Sequence, residues 1–183
     1  MIFGITYKSK LGSKLKLRMV PAIILGICLI GIVIGVMVMW HQYHHNQIPN
    51  SISKQLDFLV LYPNSPERKI TAEVGSYKYD KSSKLLTFIV IDSGLNITIS
   101  EQSTPQAFVD IPQSYTTLIN SMNNYTSFDS LQGHVDLTMP KEFNGQQAAV
   151  MNTKGTLMFA RPTNGKLTSD QWKSFFNSII ITK

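Results

Sequence analysis

His134 and Asp136 stand two residues apart in a run, His134-Val135-Asp136-Leu137-Thr138-Met139, whose apolar residues alternate with polar ones. On a β-strand a spacing of two puts both side chains on one face, where an imidazole and a carboxylate can share a proton. Hydrolysis needs a third group beside them; Glu101 and Asp110 are the carboxylates on offer, and no spacing brings either close. A lone histidine on the wet side of a strand is ordinary surface, so no catalytic residue is assigned and the chain reads as not an enzyme. Gly-rich phosphate loops, Gly-x-Ser-x-Gly and His-Glu-x-x-His are all missing from the sequence. His41, His44 and His45 have the spacing of one helix face and the chemistry to bind a transition metal or sense pH, but no carboxylate or cysteine joins them. They read as a wet interfacial patch, and neither a metal ligand nor a cofactor is assigned. Asn96-Ile97-Thr98 and Asn124-Tyr125-Thr126 match the glycosylation acceptor pattern, which acts only along a eukaryotic secretory route.

The elements that must carry these residues fill the C-terminal part of the chain. Leu56, Phe58, Val60 and Tyr62 form the apolar side of a first strand, stopped by Pro63-Asn64-Ser65-Pro66. Lys69 to Tyr79 reads as a second. Leu85 to Ile91, the short Asp92-Ser93-Gly94 connection, and the alternation of Leu95, Ile97 and Ile99 with Asn96, Thr98 and Ser100 predict an antiparallel hairpin. Pro105 to Pro112 reads as irregular and Ser114 to Asn123 as a helix. A strand follows at Val135 to Met139, then a hairpin from Gln147 to Ala160 that turns at Asn152-Thr153-Lys154-Gly155. Thr168 and Gln171 make a capping box for a last helix whose stripe is Trp172, Phe175, Phe176 and Ile179. The expected fold is an α+β domain: an antiparallel sheet packed against one or two helices.

Ahead of this domain, Met19 to Trp40 contains no charged residue and is long enough as a helix, roughly 33 Å, to cross a bilayer core. The net charge of +6 includes Lys8, Lys10, Lys14, Lys16 and Arg18, all before that stretch, and the remainder is near neutral. Such a distribution excludes a nucleic-acid surface and orients a span with its N-terminus in the cytoplasm. The expected organisation is a basic cytoplasmic tail over 1–18, a transmembrane helix over 19–40, a juxtamembrane linker over 41–55 and an extracytoplasmic domain over 56–183. The span reads as an uncleaved signal anchor of a single-pass cell-membrane protein, with the lipid bilayer as its partner. Ala22, Gly26, Gly31 and Gly35 form small-residue pairs suited to helix–helix contact, and Arg18, Trp40 and Tyr43 sit where the membrane interfaces would fall. The sole cysteine, Cys28, lies within the span, so the domain must fold without a disulfide, which fits a bacterial envelope protein.

Leu59-Val60-Leu61-Tyr62-Pro63, Leu85-Leu86-Thr87-Phe88-Ile89-Val90, the run from Ile97 to Pro105, Gly155-Thr156-Leu157-Met158-Phe159 and the closing helix occur in an order that resembles uncharacterised single-span envelope proteins of candidate-phyla-type bacteria. The chain is also similar, more distantly, to extracytoplasmic domains of sporulation and anti-sigma-associated membrane proteins. The resemblance covers most of residues 56–181 and implies an architecture; it implies no functional residues. The expectation is a membrane-anchored extracytoplasmic binding or scaffolding module of a cell-envelope assembly, working by protein–protein interaction with another envelope protein or as a homo-oligomer. The alternative is an envelope sensor or regulator that signals through a membrane partner. An envelope enzyme of unfamiliar type ranks third.

Overall fold

The computed structural model describes residues 32–33, 48–65, 68–73, 75–141 and 144–182. The chain divides into two units, Met1–His45 and Asn46–Lys183. In the second unit the elements run α1 (Asn50–Ser53), β1 (Val60–Pro63), β2 (Ile70–Ala72), β3 (Lys78–Asp80), β4 (Leu85–Asp92), β5 (Leu95–Ser103), α2 (Gln106–Asp110), α3 (Pro112–Ser121), β6 (Asn124–Asp129), β7 (His134–Thr138), β8 (Ala148–Thr153), β9 (Thr156–Pro162), α4 (Ser169–Asn177) and β10 (Ile179–Thr182).

Two hairpins organise the sheet. In β4 every second residue is buried, and Phe88 faces Ile99 across the β4–β5 ladder. The connecting Ser93 and Gly94 both have positive φ, 52° and 84°, the backbone of a two-residue turn whose twist matches that of the strands. Lys154 and Gly155, at 51° and 80°, join β8 to β9 in the same way. Antiparallel pairing of β5 with β9 brings the hairpins together, and the sheet has eight strands in the order β2-β4-β5-β9-β8-β7-β6, with β3 also on β4. Strands β1 and β10 pair antiparallel as a separate two-stranded ribbon.

One sheet face is closed by α4. Thr168 accepts from the Gln171 amide while the Gln171 side chain accepts from the Thr168 amide, so two orphan N–H groups of the first turn are satisfied. Trp172, Phe175 and Phe176 are fully buried and meet one another edge-on or tilted, with centroids 5.5–6.0 Å apart. Leu86, Phe88, Val90, Ile97, Ile99, Val135, Leu137, Met158 and Ala160 belong to the same core. Alternation places their neighbours in sequence on the opposite face. There Val150 and Leu157 pack with Ile119 and Met122, and Phe108, Tyr115 and Phe159 flank them.

Several expectations need correction. Among the described residues no helix is long and apolar enough to cross a membrane. The longest in the second unit, α3, has ten residues and reaches about 15 Å, half a hydrocarbon core. The transmembrane part of the expected fold, the single-pass location, the signal anchor, the bilayer as partner and the membrane-anchored module or sensor built on it are therefore not carried forward. Of Met19–Trp40, Ile32 and Val33 are described, both helical; Ala22, Gly26, Gly31, Gly35, Arg18, Trp40, Tyr43, Cys28 and the His41–His45 group lie outside the described residues. Where the sequence reads as linker, Asn50–Ser53 forms a helical turn, and Ile48 just before it is buried in the core. The single strand expected over Lys69–Tyr79 is two short ones on the same edge of β4, because Gly75 at φ 83° turns the chain away between them. Ser76 bridges the gap, its hydroxyl accepting from the Ile89 amide. Pro105–Pro112 is not irregular: Pro105 caps α2 and Pro112 begins α3, the helical positions where a missing N–H costs nothing. Strand β6 carries no apolar alternation and was not expected. Ile179 belongs to β10 rather than to the last helix.

Candidate functional site

The sequence offered His134 and Asp136 as a pair on a wet strand face. The structure leaves His134 exposed but buries Asp136 to 6% exposure. Helix α3 is responsible: the Tyr115 hydroxyl reaches across and donates to Asp136 at 2.9 Å, and the Asn124 amide donates at 3.2 Å. The buried carboxylate in turn pushes the Tyr115 hydroxyl above the usual phenol range, after the larger effect of burial. His134 turns its Nδ1 to Asp129, at 2.8 Å, while its Nε2 lies 3.7 Å from Asp136. Two carboxylates thus flank one imidazole, and the Tyr115 hydroxyl is held against the buried one.

Neither carboxylate considered as a third group joins them. Asp110 accepts from Gln106 on the exposed side of α2. Glu101 lies in the core row of β5 with no exposed surface, and both of its oxygens accept from the Leu61 amide, at 3.2 and 3.3 Å. That row belongs to the face opposite Asp136. Burial holds the Glu101 carboxyl well above the ordinary carboxylate range, with the Leu61 hydrogen bond opposing it more weakly. The signal was in the sequence: Ile97 and Ile99 extend by one further step of two to Glu101.

Tyr115 and Asp136 share their sheet face with a second set of residues. Across the ladder, Thr87, Ser100, Phe159, Val150 and Asp136 lie side by side, one per strand. Val150 and Asp136 are roofed, whereas Thr98, Ser100, Phe159 and Arg161 are half-buried. With Ala148 they line a cleft of about 210 Å³. In the β5–β9 register Thr98 faces Arg161 and Ser100 faces Phe159, a two-by-two block whose facing Cβ atoms stand roughly 5 Å apart. Ser100 and Asp136 are separated by three strand spacings, roughly 14 Å, so the cleft and the His134–Asp136 group are distinct. Alternation alone turned Thr98 and Ser100 away from the core. Arg161 and Phe159 were missed because the pairing that brings β9 beside β5 crosses a long stretch of chain that leaves no local pattern.

Among the described residues no group of three or more His, Cys, Asp or Glu side chains could hold a metal ion. Comparison with known protein families, with curated proteins and with solved structures returns no match.

Proposed function

We propose that residues 48–182 form a non-catalytic binding domain whose contact surface is the half-open face of the sheet around Thr98, Ser100, Phe159 and Arg161. One observation supports this reading above the others. One face of the sheet is filled by the apolar stripe of α4, while part of the other is left half-buried and carries a cleft with polar and aromatic walls. A concave site with a few convergent polar groups is the usual form of a ligand site. The His134–Asp136 group supports catalysis less well: its carboxylate is held by Tyr115 and Asn124 under a helix.

The test is a fragment screen on the ¹⁵N-labelled full-length chain, read by amide chemical shifts. Binding fragments are expected to move the signals of Thr98, Ser100, Phe159 and Arg161 together. Hits scattered over the surface, or gathered at His134 and Asp136, would remove the proposal.

A further inference from the structure

The structure assigns Asn164, in the loop between β9 and α4, as a site of spontaneous covalent modification. The Gly165 nitrogen closes on the Asn164 side chain to a cyclic imide, which water opens to aspartate or isoaspartate.

Asparagine is followed by glycine at two places in the chain, Asn144-Gly145 and Asn164-Gly165. Glycine has no Cβ, so the nitrogen after the asparagine is unhindered and its backbone turns freely. Both pairs are exposed, and by sequence alone they are equally labile. In the reaction the glycine nitrogen bonds to the asparagine Cγ and the Cγ–Nδ2 bond breaks. The glycine amide proton leaves with Nδ2 as ammonia. One water molecule then opens the imide at either carbonyl, restoring the main chain as aspartate or rerouting it through the side chain as isoaspartate. Water is the one co-reactant.

The fold treats the two pairs differently. Asn144 and Gly145 have φ of 54° and 68°, the paired left-handed positions of a tight turn. In that region the side chain and the following nitrogen stand on opposite sides of the Cα–C bond, whereas ring closure needs them on the same side. The Gly145 amide also donates to the Pro140 carbonyl at 3.1 Å, and the Asn144 amide to the Lys141 carbonyl at 3.0 Å. The turn must open before Gly145 can attack. Asn164 lies outside the left-handed region, and the Gly165 amide has no hydrogen-bond partner among the described residues. The electrophile is prepared as well: Asn164 Oδ1 accepts from the Asn96 amide at 3.0 Å. Negative charge gathers on that oxygen as nitrogen adds to Cγ, and a main-chain donor already aimed at it stabilises the charge without reorganising. Asn96 is itself fixed, its carbonyl accepting from the Thr163 amide at 2.8 Å and the Thr163 hydroxyl at 3.1 Å. Aspartate keeps an acceptor for the Asn96 amide. Isoaspartate lengthens the main chain by one carbon directly after Thr163, which loosens this clasp at the end of the β5–β9 ladder.

The full-length protein is aged at mildly alkaline pH, one sample folded and one held in urea, and both are mapped by peptide mass spectrometry. The small mass gain of amide-to-acid conversion marks each site, and chromatography separates isoaspartate from aspartate. In the folded sample Asn164 should convert faster than Asn144 by about tenfold or more, the worth of opening the two main-chain hydrogen bonds that hold the Asn144 turn. In urea the two sites should convert at similar rates. Asn164→Asp should remove the fast conversion while keeping the Asn96 amide protected from hydrogen exchange. The isoaspartate fraction of the aged parent should lose that protection. Equal rates in the folded chain, or a faster Asn144, would overturn the assignment. So would a folded Asn164 that stays intact while the urea sample converts, or a contrast between the sites that persists unchanged in urea.

Discussion

Glu101 is a carboxyl group held where water does not reach, between β5 and the β1–β10 ribbon. Its proton is bound more tightly in the folded chain than in the unfolded one, because burial penalises the charged form. The stabilising share of such a group is complete below the unfolded value of about 4.3 and is lost as pH rises through the folded value. Glu101→Gln keeps the shape and the acceptor for the Leu61 amide but removes the ionisable proton. We therefore expect the variant to match the parent near pH 4 and to exceed it in stability at pH 8. Urea midpoints at the two pH values check this, and an offset that does not change with pH would show that Glu101 does not couple folding to protonation. The same residue shows how far residue-level reading goes. Its place in the apolar row follows from counting along β5, whereas the identity of its donor, Leu61, follows only from the contact between ribbon and sheet.

Among the elements, α4 is the one most fully written in local sequence. Its capping box, its stripe and the core it covers all lie in one short segment. Thr168→Ala removes an N-cap acceptor and should cost about 1 kcal/mol, whereas Phe175→Ala empties a fully buried site and should cost about 3–5 kcal/mol. Thermal or denaturant unfolding of the two variants measures the contrast; similar losses would mean that the helix is held by its end rather than by its stripe. The two hairpins were legible for a comparable reason, since each turn chemistry sits inside its own alternation. Elements whose cause is remote were not. The run Ile179–Ile181 continues the apolar character of the helix, and only pairing with β1 makes it a strand. Strand β6 carries Asn124, Thr126 and Ser127 at its exposed edge and is specified by β7, not by its own residues. Helix α2 was hidden by the prolines that in fact delimit it.

At the scale of the whole unit, the sheet has a tight centre and a loose margin. Strands β4, β5, β9 and β8 each have neighbours on both sides, and their core residues are almost completely buried. Strand β6 pairs with β7 alone among the described residues and is largely exposed. Amide hydrogen exchange should accordingly be slowest in the central four strands and faster in β6 by orders of magnitude. Uniform protection across the sheet would contradict this gradient. The half-open cleft is built on β5, β9 and β8, so the proposed contact surface belongs to the part of the unit that opens least. A ligand would then meet a prearranged surface and spend little of its binding free energy on ordering it.

The β1–β10 ribbon has a consequence for the protein while it is being made. Val60 pairs with Thr182 and Pro63 with Ile179, so the first strand of the unit waits for the last. Emerging from the ribosome, β1 has no strand partner until Ile179–Thr182 has been made. The β4–β5 hairpin can close early, because its halves are neighbours. Leu61, whose amide later meets Glu101, remains on a nascent chain open to chaperones throughout that interval.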